Sequence, residues 1–326
     1  MVTEYITLQM LSDQWMNAKL HKVKASTYAR YSFLLSRHIL PKLGTICLEE
    51  ITPDMIDDFL LCKRQSGNLR DGSPLSPKTV NDMRTLILEV LKYAMRKGFC
   101  KFIYEDIYSP NRTEQNIKVL SISEQKQLTK YLEMHMESAS LGITIALSCG
   151  LRIGEICALT WNDIDLQKPA IYVNKTLNRI QLIHNKESPE NPRTTVQITA
   201  PKTKYSMREI PITQKLLSLL QKYHPMCKEE HSVFILTGTK YPMEPRLLLK
   251  RYKKILGKAG LPDYTFHSLR HSFATRCVEA GMDAKTLSLL LGHSSISITL
   301  QLYVHPSFEQ KTRELQKLEQ FLNVHT

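Results

Sequence analysis

The chain carries a small set of side chains whose types and spacing suit phosphate chemistry. His267 and Arg270 lie three residues apart, His293 follows a Leu-Gly pair, Tyr303 comes ten positions after His293, and Arg152 lies well upstream. Two arginines can hold both non-bridging oxygens of a phosphodiester, histidines can hydrogen-bond or transfer protons, and a tyrosine hydroxyl can attack phosphorus. If the fold brings Arg152 back to the other four, the set predicts a metal-free site that cuts nucleic acid.

Each of these residues has a plainer interpretation when it is taken alone. Arg152 follows a glycine that ends a helix, where a surface arginine is ordinary, and Tyr303 could pack in a core with its hydroxyl satisfied. His267 and His271 are spaced like a pair of metal ligands, but the glutamate of a His-Glu-x-x-His motif is absent. We therefore predict no metal or other cofactor, and we interpret His271 and His305 as structural or surface histidines.

The charge of the chain fits a nucleic-acid substrate. Lys and Arg number 44 against 31 Asp and Glu, which gives a net charge of +13 and a pI of about 9.3. Residues 1–110 contribute +3 and residues 111–326 contribute +10, so most of the excess lies with the candidate chemistry. A basic protein can neutralise backbone phosphates, although a lysine-rich solvated surface gives the same composition.

The cysteines and the apolar segments favour a cytoplasmic protein. Seven scattered cysteines without a Cys-x-x-Cys pair suggest neither a disulfide framework nor a zinc site. No charged-then-apolar signal region is found at the N-terminus, and no apolar run approaches the ~20 residues that span a bilayer. We predict no membrane partner.

Helical patterns dominate residues 1–110. Thr52 and Ser76 each stand before a proline, the preferred opening of a helix. The segment 76–98 then places apolar residues on one stripe, and further patterns lie near 7–20 and 26–39. These features predict a four-helix domain over 1–110, followed by a polar linker at 111–118.

Residues 119–326 predict a second, mixed domain. Ser121 and Glu124 form a capping box, the apolar run 142–149 ends at Gly150, and Thr265 and Asp283 cap later helices. Three alternating segments, at 171–173, 196–198 and 208–212, predict a small antiparallel sheet. The expected fold class is mainly α with a small antiparallel sheet, an α-helical domain preceding an α+β domain.

The combined order of these residues resembles the tyrosine recombinase family, the phage integrase type. The resemblance covers about residues 115–310 and a helical domain before them, in the motifs GLRIGEI, TFHSLRHSFAT and LLGHSSISITLQLY. These look most like integrases of temperate phages and conjugative transposons. Such integrases often carry an N-terminal arm-binding domain, and we expect that module to be missing because the helical pattern begins almost at Met1.

The resemblance implies a role for each residue of the set. Arg152 and Arg270 would clamp the scissile phosphate, Tyr303 would attack it, and His293 would hydrogen-bond the phosphate or order the site. His267 would be the base that receives the tyrosine proton. The product would be a 3′-phosphotyrosine with a free 5′-hydroxyl, so strands could be exchanged and resealed without ATP.

Two further residues complete the implied site. Glu155 would brace Arg152, and Lys202 would protonate the departing 5′ oxygen. Lys204 is the alternative acid, because it flanks the same turn between strands.

The resemblance also implies the partners of the chain. These are double-stranded DNA core sites, a homotetramer on two duplexes, and an accessory directionality factor. An apolar stripe from about residue 307 (Phe308, Leu315, Leu318, Phe321 and Leu322) would dock on a neighbouring subunit, or else pack on its own domain.

Alternatives to this function are a resolvase or invertase of the same chemistry and, beyond these, a type IB topoisomerase or a non-catalytic DNA-binding protein.

Overall fold

The computed structural model describes residues 5–100, 106–111, 118–181, 194–200, 204–224 and 233–303, together with positions 312, 315, 316, 319, 320 and 322. The chain divides into two compact units. Unit 1 comprises Met1–Gln115 with Arg179–Thr195, and unit 2 comprises Asn116–Asn178 with Val196–Thr326. None of the described helices is long and apolar enough to cross a membrane.

Unit 1 is built from α-helices whose starts follow the predicted caps. Thr52 Oγ1 accepts a hydrogen bond from the Met55 amide at 3.3 Å, and Ser76 Oγ accepts one from the Thr79 amide at 3.2 Å. These bonds satisfy amide groups that a helix start leaves without partners. The helices are α1 (Leu8–Lys19), α2 (Ala25–Leu34), α3 (Leu40–Leu43), α4 (Pro53–Ser66) and α5 (Pro77–Arg96), with a π-helical turn at Leu35–Ile39 between α2 and α3.

The core of unit 1 lies against α5. The apolar stripe predicted for α5 is buried, at Val80, Met83, Ile87, Val90, Leu91 and Ala94. Residues 106–111 return to this helix, since Asn81 Nδ2 donates to the Pro110 carbonyl at 3.0 Å and Arg84 Nε donates to the Ile107 carbonyl at 3.1 Å. These bonds join the segment after α5 to the helical domain that precedes it.

Unit 2 is a second helical assembly with its own core. The capping box at Ser121 and Glu124 is present at the start of its first helix. Its helices are α6 (Ile122–Met134), α7 (Ser138–Cys149), α8 (Ile153–Ala158), α9 (Gln214–Tyr223), α10 (Pro245–Lys258), α11 (Phe266–Glu279), α12 (Ala284–Leu291) and α13 (Ile296–Tyr303). Both α7 and α12 end at a glycine in the left-handed region, Gly150 (φ 63°) and Gly292 (φ 65°), where side chains are disfavoured.

The strands form two sheets instead of the single predicted one. Strands β1 (Ile164–Asp165), β2 (Ala170–Val173) and β5 (Arg208–Pro211) make an antiparallel sheet in the order β1-β2-β5, with Ile171 opposite Ile210. The predicted strand around Val196 exists as β4 (Thr194–Thr199), but it pairs with β3 (Thr176–Gln181). The prediction of one sheet was wrong because residues 176–181 had not been recognised as a strand. The fold class, mainly α with a small antiparallel sheet, is confirmed.

Gly150 offers a test of how tightly α7 packs against α11. A Cβ at Gly150 would lie 2.5 Å from Phe273 Cδ1 and 2.9 Å from Leu291 Cδ2, in addition to adopting a positive φ. We expect Gly150→Ala to lower the free energy of unfolding in urea by about 2 to 4 kcal/mol.

Gly281→Ala is the matched control, since Gly281 has φ +86° and nothing within 4 Å of its added Cβ. It should cost only the backbone penalty, about 1 to 2 kcal/mol. Equal losses for the two variants would show that the helix contact is not tight.

Candidate active site

Glu155 organises the first part of the site by binding two arginines. Its carboxylate accepts from the Arg152 amide at 2.9 Å and from Arg152 Nη1 at 2.8 Å, which fixes the start of α8. On its other side it accepts from Arg208 Nη2 at 2.9 Å and Nη1 at 3.2 Å. The Arg152 side chain keeps 38% exposure, whereas the side chains of Glu155 and Arg208 keep 6% and 5%. Arg152 is therefore braced and still accessible.

The pKa of Glu155 reflects these opposing influences. Burial alone would raise the pKa, but the hydrogen bonds and charge of Arg208, followed by the charge of Arg152, lower it below its ordinary value. The carboxylate is ionised at neutral pH as a result. A buried, ionised carboxylate with two cationic partners is a fixed anchor for both guanidinium groups.

Arg208 links this anchor to the rest of the site. Its Nε donates to the Leu290 carbonyl in α12 at 2.6 Å, and its Nη1 donates to the Ser206 carbonyl at 3.2 Å. The sequence placed position 208 only at the start of a predicted strand. Its direct partners are 53 and 82 positions away along the chain. No local pattern could reveal such contacts.

Arg270 is almost completely buried, with 2% exposure. Its Nη1 donates to the Gly150 carbonyl and its Nη2 to the Leu291 carbonyl, both at 2.7 Å. Burial first, and then the charges of Arg152 and Arg208, lower its pKa to about 9, so the guanidinium stays charged at neutral pH. The ends of α7 and α12 thus hold the second predicted phosphate ligand beside the first.

Three histidines lie near the Arg270 charge, and burial together with nearby positive charge keeps them neutral. Burial, with the positive charges of Arg270 and Arg152, lowers the pKa of His267 and brings that of His293 to about 4. Burial, with contributions from His267 and Arg270, also lowers the pKa of His271 to about 4. His293 Nδ1 is 2.8 Å from the hydroxyl of the buried Thr299, which orients its ring. Neutral imidazoles can accept as well as donate hydrogen bonds.

Tyr303 lies at the end of α13 with 9% exposure. Its hydroxyl oxygen is 2.6 Å from His271 Nδ1, and its ring stacks with that of His293 at 6.5 Å between centroids. Burial raises the pKa of Tyr303, while the charges of Arg270 and Arg152 act to lower it. The structure therefore brings Arg152, Arg270, Tyr303 and the histidines into one electrostatic environment.

His271 is a residue that the sequence interpretation left outside the site. It follows His267 by one helical turn, and the two rings meet edge to face at 4.5 Å. The sequence signal was therefore present, but it had been weighed only as a possible metal pair. Among the described residues no group of three or more His, Cys, Asp or Glu is arranged to hold a metal ion.

Some predicted residues lie outside the description. Lys202 is not among the described residues, and neither are Phe308, Leu318 and Phe321 of the C-terminal stripe. Lys204 begins a short 3-10 helix, Lys204–Ser206, directly before β5. The assignment of the acid to Lys202 or Lys204 stays a prediction.

Removal of the Arg208 charge should lower the stability of unit 2 against unfolding. Arg208→Met leaves Glu155 buried with only one cationic partner, and breaking a buried ion pair in this way typically costs about 3 to 5 kcal/mol. Urea unfolding at neutral pH measures the loss. The control is Lys168→Met. Lys168 pairs with Glu209 of β5, but this pair is largely exposed, so its loss should change the free energy of unfolding little. An unchanged unfolding midpoint for Arg208→Met would contradict the anchor.

Comparison with known proteins identifies the family of the chain. Residues 118–310 match the phage integrase family, and residues 7–60 match the N-terminal SAM-like domain of phage integrases. The chain is 33% identical over 263 residues to a tyrosine recombinase XerC-like protein of Caldanaerobacter subterraneus subsp. tengcongensis, covering 74% of this chain and 66% of the relative. It is 26% identical to the ICEBs1 integrase of Bacillus subtilis, covering 92% and 79%.

Solved structures show the same fold. The Tn1549 transposon integrase in complex with transposon right end DNA superposes with a TM-score of 0.74 at 24% identity, covering 96% of this chain and 100% of that chain. A lambda integrase tetramer bound to a Holliday junction gives 0.65 at 19% identity, covering 92% and 78%. The resemblance seen in the sequence is confirmed, and the chain belongs to the phage integrase family of tyrosine recombinases.

Proposed function

We propose that the protein is a site-specific DNA recombinase that cleaves and rejoins strands through a 3′-phosphotyrosine intermediate. The observation that carries this function is the buried Tyr303 hydroxyl in the field of Arg270 and Arg152. A tyrosine in that position can attack a phosphodiester that the arginines hold. Integrases of phages and conjugative transposons perform such reactions for mobile elements, and we assign this protein to the same task.

The arginines would stabilise the charge that develops on the phosphate. Arg152 keeps an accessible side chain, and Arg270 uses two of its five N–H donors on carbonyl groups. Donors fixed before the reaction stabilise a pentavalent transition state without reorganisation, as a metal ion does in other nucleases. We infer that Glu155 supports this role by holding Arg152.

The remaining predicted residues would assist bond breaking. Lys202, with Lys204 as the alternative, would protonate the departing 5′ oxygen, and His293 would order the phosphate side of the site. His267 was predicted as the base, and its ring contacts His271.

We propose double-stranded DNA as the partner, with four protomers assembled on two duplexes and an accessory factor that sets direction. The net charge of +13 supports DNA binding, and a related lambda integrase forms a tetramer on a Holliday junction. Exchange of the C-terminal segment between protomers is supported by Leu315 and Leu322, which are 66% and 55% exposed. Packing of that segment on its own subunit is the alternative.

We propose the domain boundaries that were predicted from the sequence. These are a core-type DNA-binding domain over 1–110, a linker at 111–118, and a catalytic domain over 119–326. The boundary between Gln115 and Asn116 that separates the two compact units supports the linker position, whereas Arg179–Thr195 groups with unit 1. A cytoplasmic location is supported by the six described cysteines, none of which is in a disulfide.

Tyr303→Phe tests the nucleophile. Because only the hydroxyl is removed, the variant should bind its DNA site normally yet form no covalent protein–DNA species on a nicked suicide substrate. Denaturing gels measure the adduct. An adduct from the variant would identify another nucleophile, and no adduct from the wild type would favour a non-catalytic DNA-binding protein. A two-site recombination assay separates a recombinase from a type IB topoisomerase.

The acid is tested by changing the leaving group. An oxygen leaving group needs a proton, whereas the sulfur of a 5′-bridging phosphorothiolate departs without one. Lys202→Ala should be severely slow on normal DNA and should recover substantially on the sulfur substrate. Arg152→Ala should not recover comparably, because its work is on the non-bridging oxygens. Rescue of Lys204→Ala together with wild-type behaviour of Lys202→Ala would reassign the acid to Lys204.

A further inference from the structure

The shortest polar contact of the nucleophile is with a histidine outside the predicted catalytic set. His271 Nδ1 lies 2.6 Å from the Tyr303 hydroxyl oxygen, within the range of a strong hydrogen bond. Helix α11 supplies the histidine and α13 supplies the tyrosine, so the contact joins two separate elements of unit 2. A proton can pass directly between groups at this distance, which satisfies the geometric requirement for general base catalysis.

We propose that His271 is the general base of strand cleavage and the general acid of strand rejoining. This inference rests on the proposed recombinase function and reassigns the proton acceptor from His267 to His271. Among the described residues, His271 is the one whose side chain hydrogen-bonds the Tyr303 hydroxyl. The His267 ring packs in a T-shaped arrangement against the His271 ring instead. His267 lies one helical turn before His271 in α11.

The atoms of the step balance. The tyrosine oxygen forms a bond to phosphorus as its proton moves to His271 Nδ1, which makes the imidazole an imidazolium. The bond between phosphorus and the 5′ oxygen breaks, and that oxygen receives a proton from the acid predicted at Lys202. In rejoining, a 5′-hydroxyl attacks the phosphotyrosine and passes its proton back to the lysine. His271 then returns its proton to the departing tyrosine oxygen.

The surroundings of His271 prepare it for this step. The groups that face it are His267 and Arg270 from α11, Tyr303 from α13, and His293 after α12. Burial and the Arg270 charge bring its pKa to about 4, so in free protein the imidazole is neutral and able to accept. A bound phosphate diester would offset the Arg270 charge and raise that pKa. Substrate binding would thereby strengthen the base when it is needed.

The test compares His271→Asn with His271→Ala in single-turnover cleavage of a nicked suicide substrate. Asparagine can place a hydrogen-bonding oxygen close to the position of Nδ1 but cannot take up a proton, so it preserves a positioning role and removes a base. We expect both variants to bind a half-site like wild type and to cleave about 10² to 10⁴ times more slowly near neutral pH. The exposed His135, changed to Asn, is the control and should cleave at the wild-type rate.

Two readouts separate a base from a structural residue. The deficit of both variants should shrink as the pH rises beyond the ordinary tyrosine pKa of about 10, because the tyrosine then ionises without help. Added imidazole should accelerate His271→Ala but not His271→Asn, whose side chain fills the space. His267→Ala should show neither pH rescue nor imidazole rescue.

Wild-type cleavage by His271→Asn, a deficit that is constant with pH, or pH rescue confined to His267→Ala would each overturn the assignment. A covalent adduct in the wild type together with any of these outcomes would leave the recombinase function intact and remove only this inference. If neither His271 variant folds, nitrogen NMR of labelled wild-type protein decides. A proton on Nε2 supports His271 as acceptor, and a proton on Nδ1 rejects it.

Discussion

Placing three guanidinium groups beside a single carboxylate is the constraint on which unit 2 depends. Arg152, Arg208 and Arg270 share one neighbourhood, and Glu155 is the one acidic side chain bound to any of them among the described residues. Buried cations need compensation, because desolvation opposes their charge. Glu155 compensates only part of this positive charge. Backbone carbonyls at the ends of α7 and α12, where helices carry partial negative charge, compensate the Arg270 guanidinium.

This source of compensation leaves the site cationic. A second carboxylate would have stabilised the arginines equally well, but it would also have repelled a phosphodiester. Carbonyl groups hold Arg270 without cancelling its charge, so the remaining positive potential is available to an anion. Burial and the same potential together lower the pKa of His293, and the potential partly offsets the burial that raises the pKa of Tyr303. The predicted phosphate ligands, the histidines and Tyr303 therefore share one electrostatic environment.

The sequence predicted those features that depend on neighbours along the chain. Caps at Thr52, Ser76 and Ser121 and the glycine stop at Gly150 follow from local chemistry, and the structure has them. The order of the phosphate-binding residues was recognisable because each stands within a short motif. The partition of the strands into two sheets was not predictable, since pairing depends on contacts across long intervals. The same limit hid the destination of Arg208, whose partners lie far away in the sequence.

Arg208 also explains why the turn before β5 lies close to the predicted phosphate ligands. Its guanidinium binds Glu155, the Leu290 carbonyl of α12 and the Ser206 carbonyl of the turn. Helix α12 can come this near because Gly292 has no Cβ, which would otherwise lie 3.1 Å from both Arg208 Cδ and the Tyr205 carbonyl oxygen. The turn follows directly on the segment that contains Lys202. One buried arginine thus ties the turn at Ser206 to the carboxylate that holds Arg152.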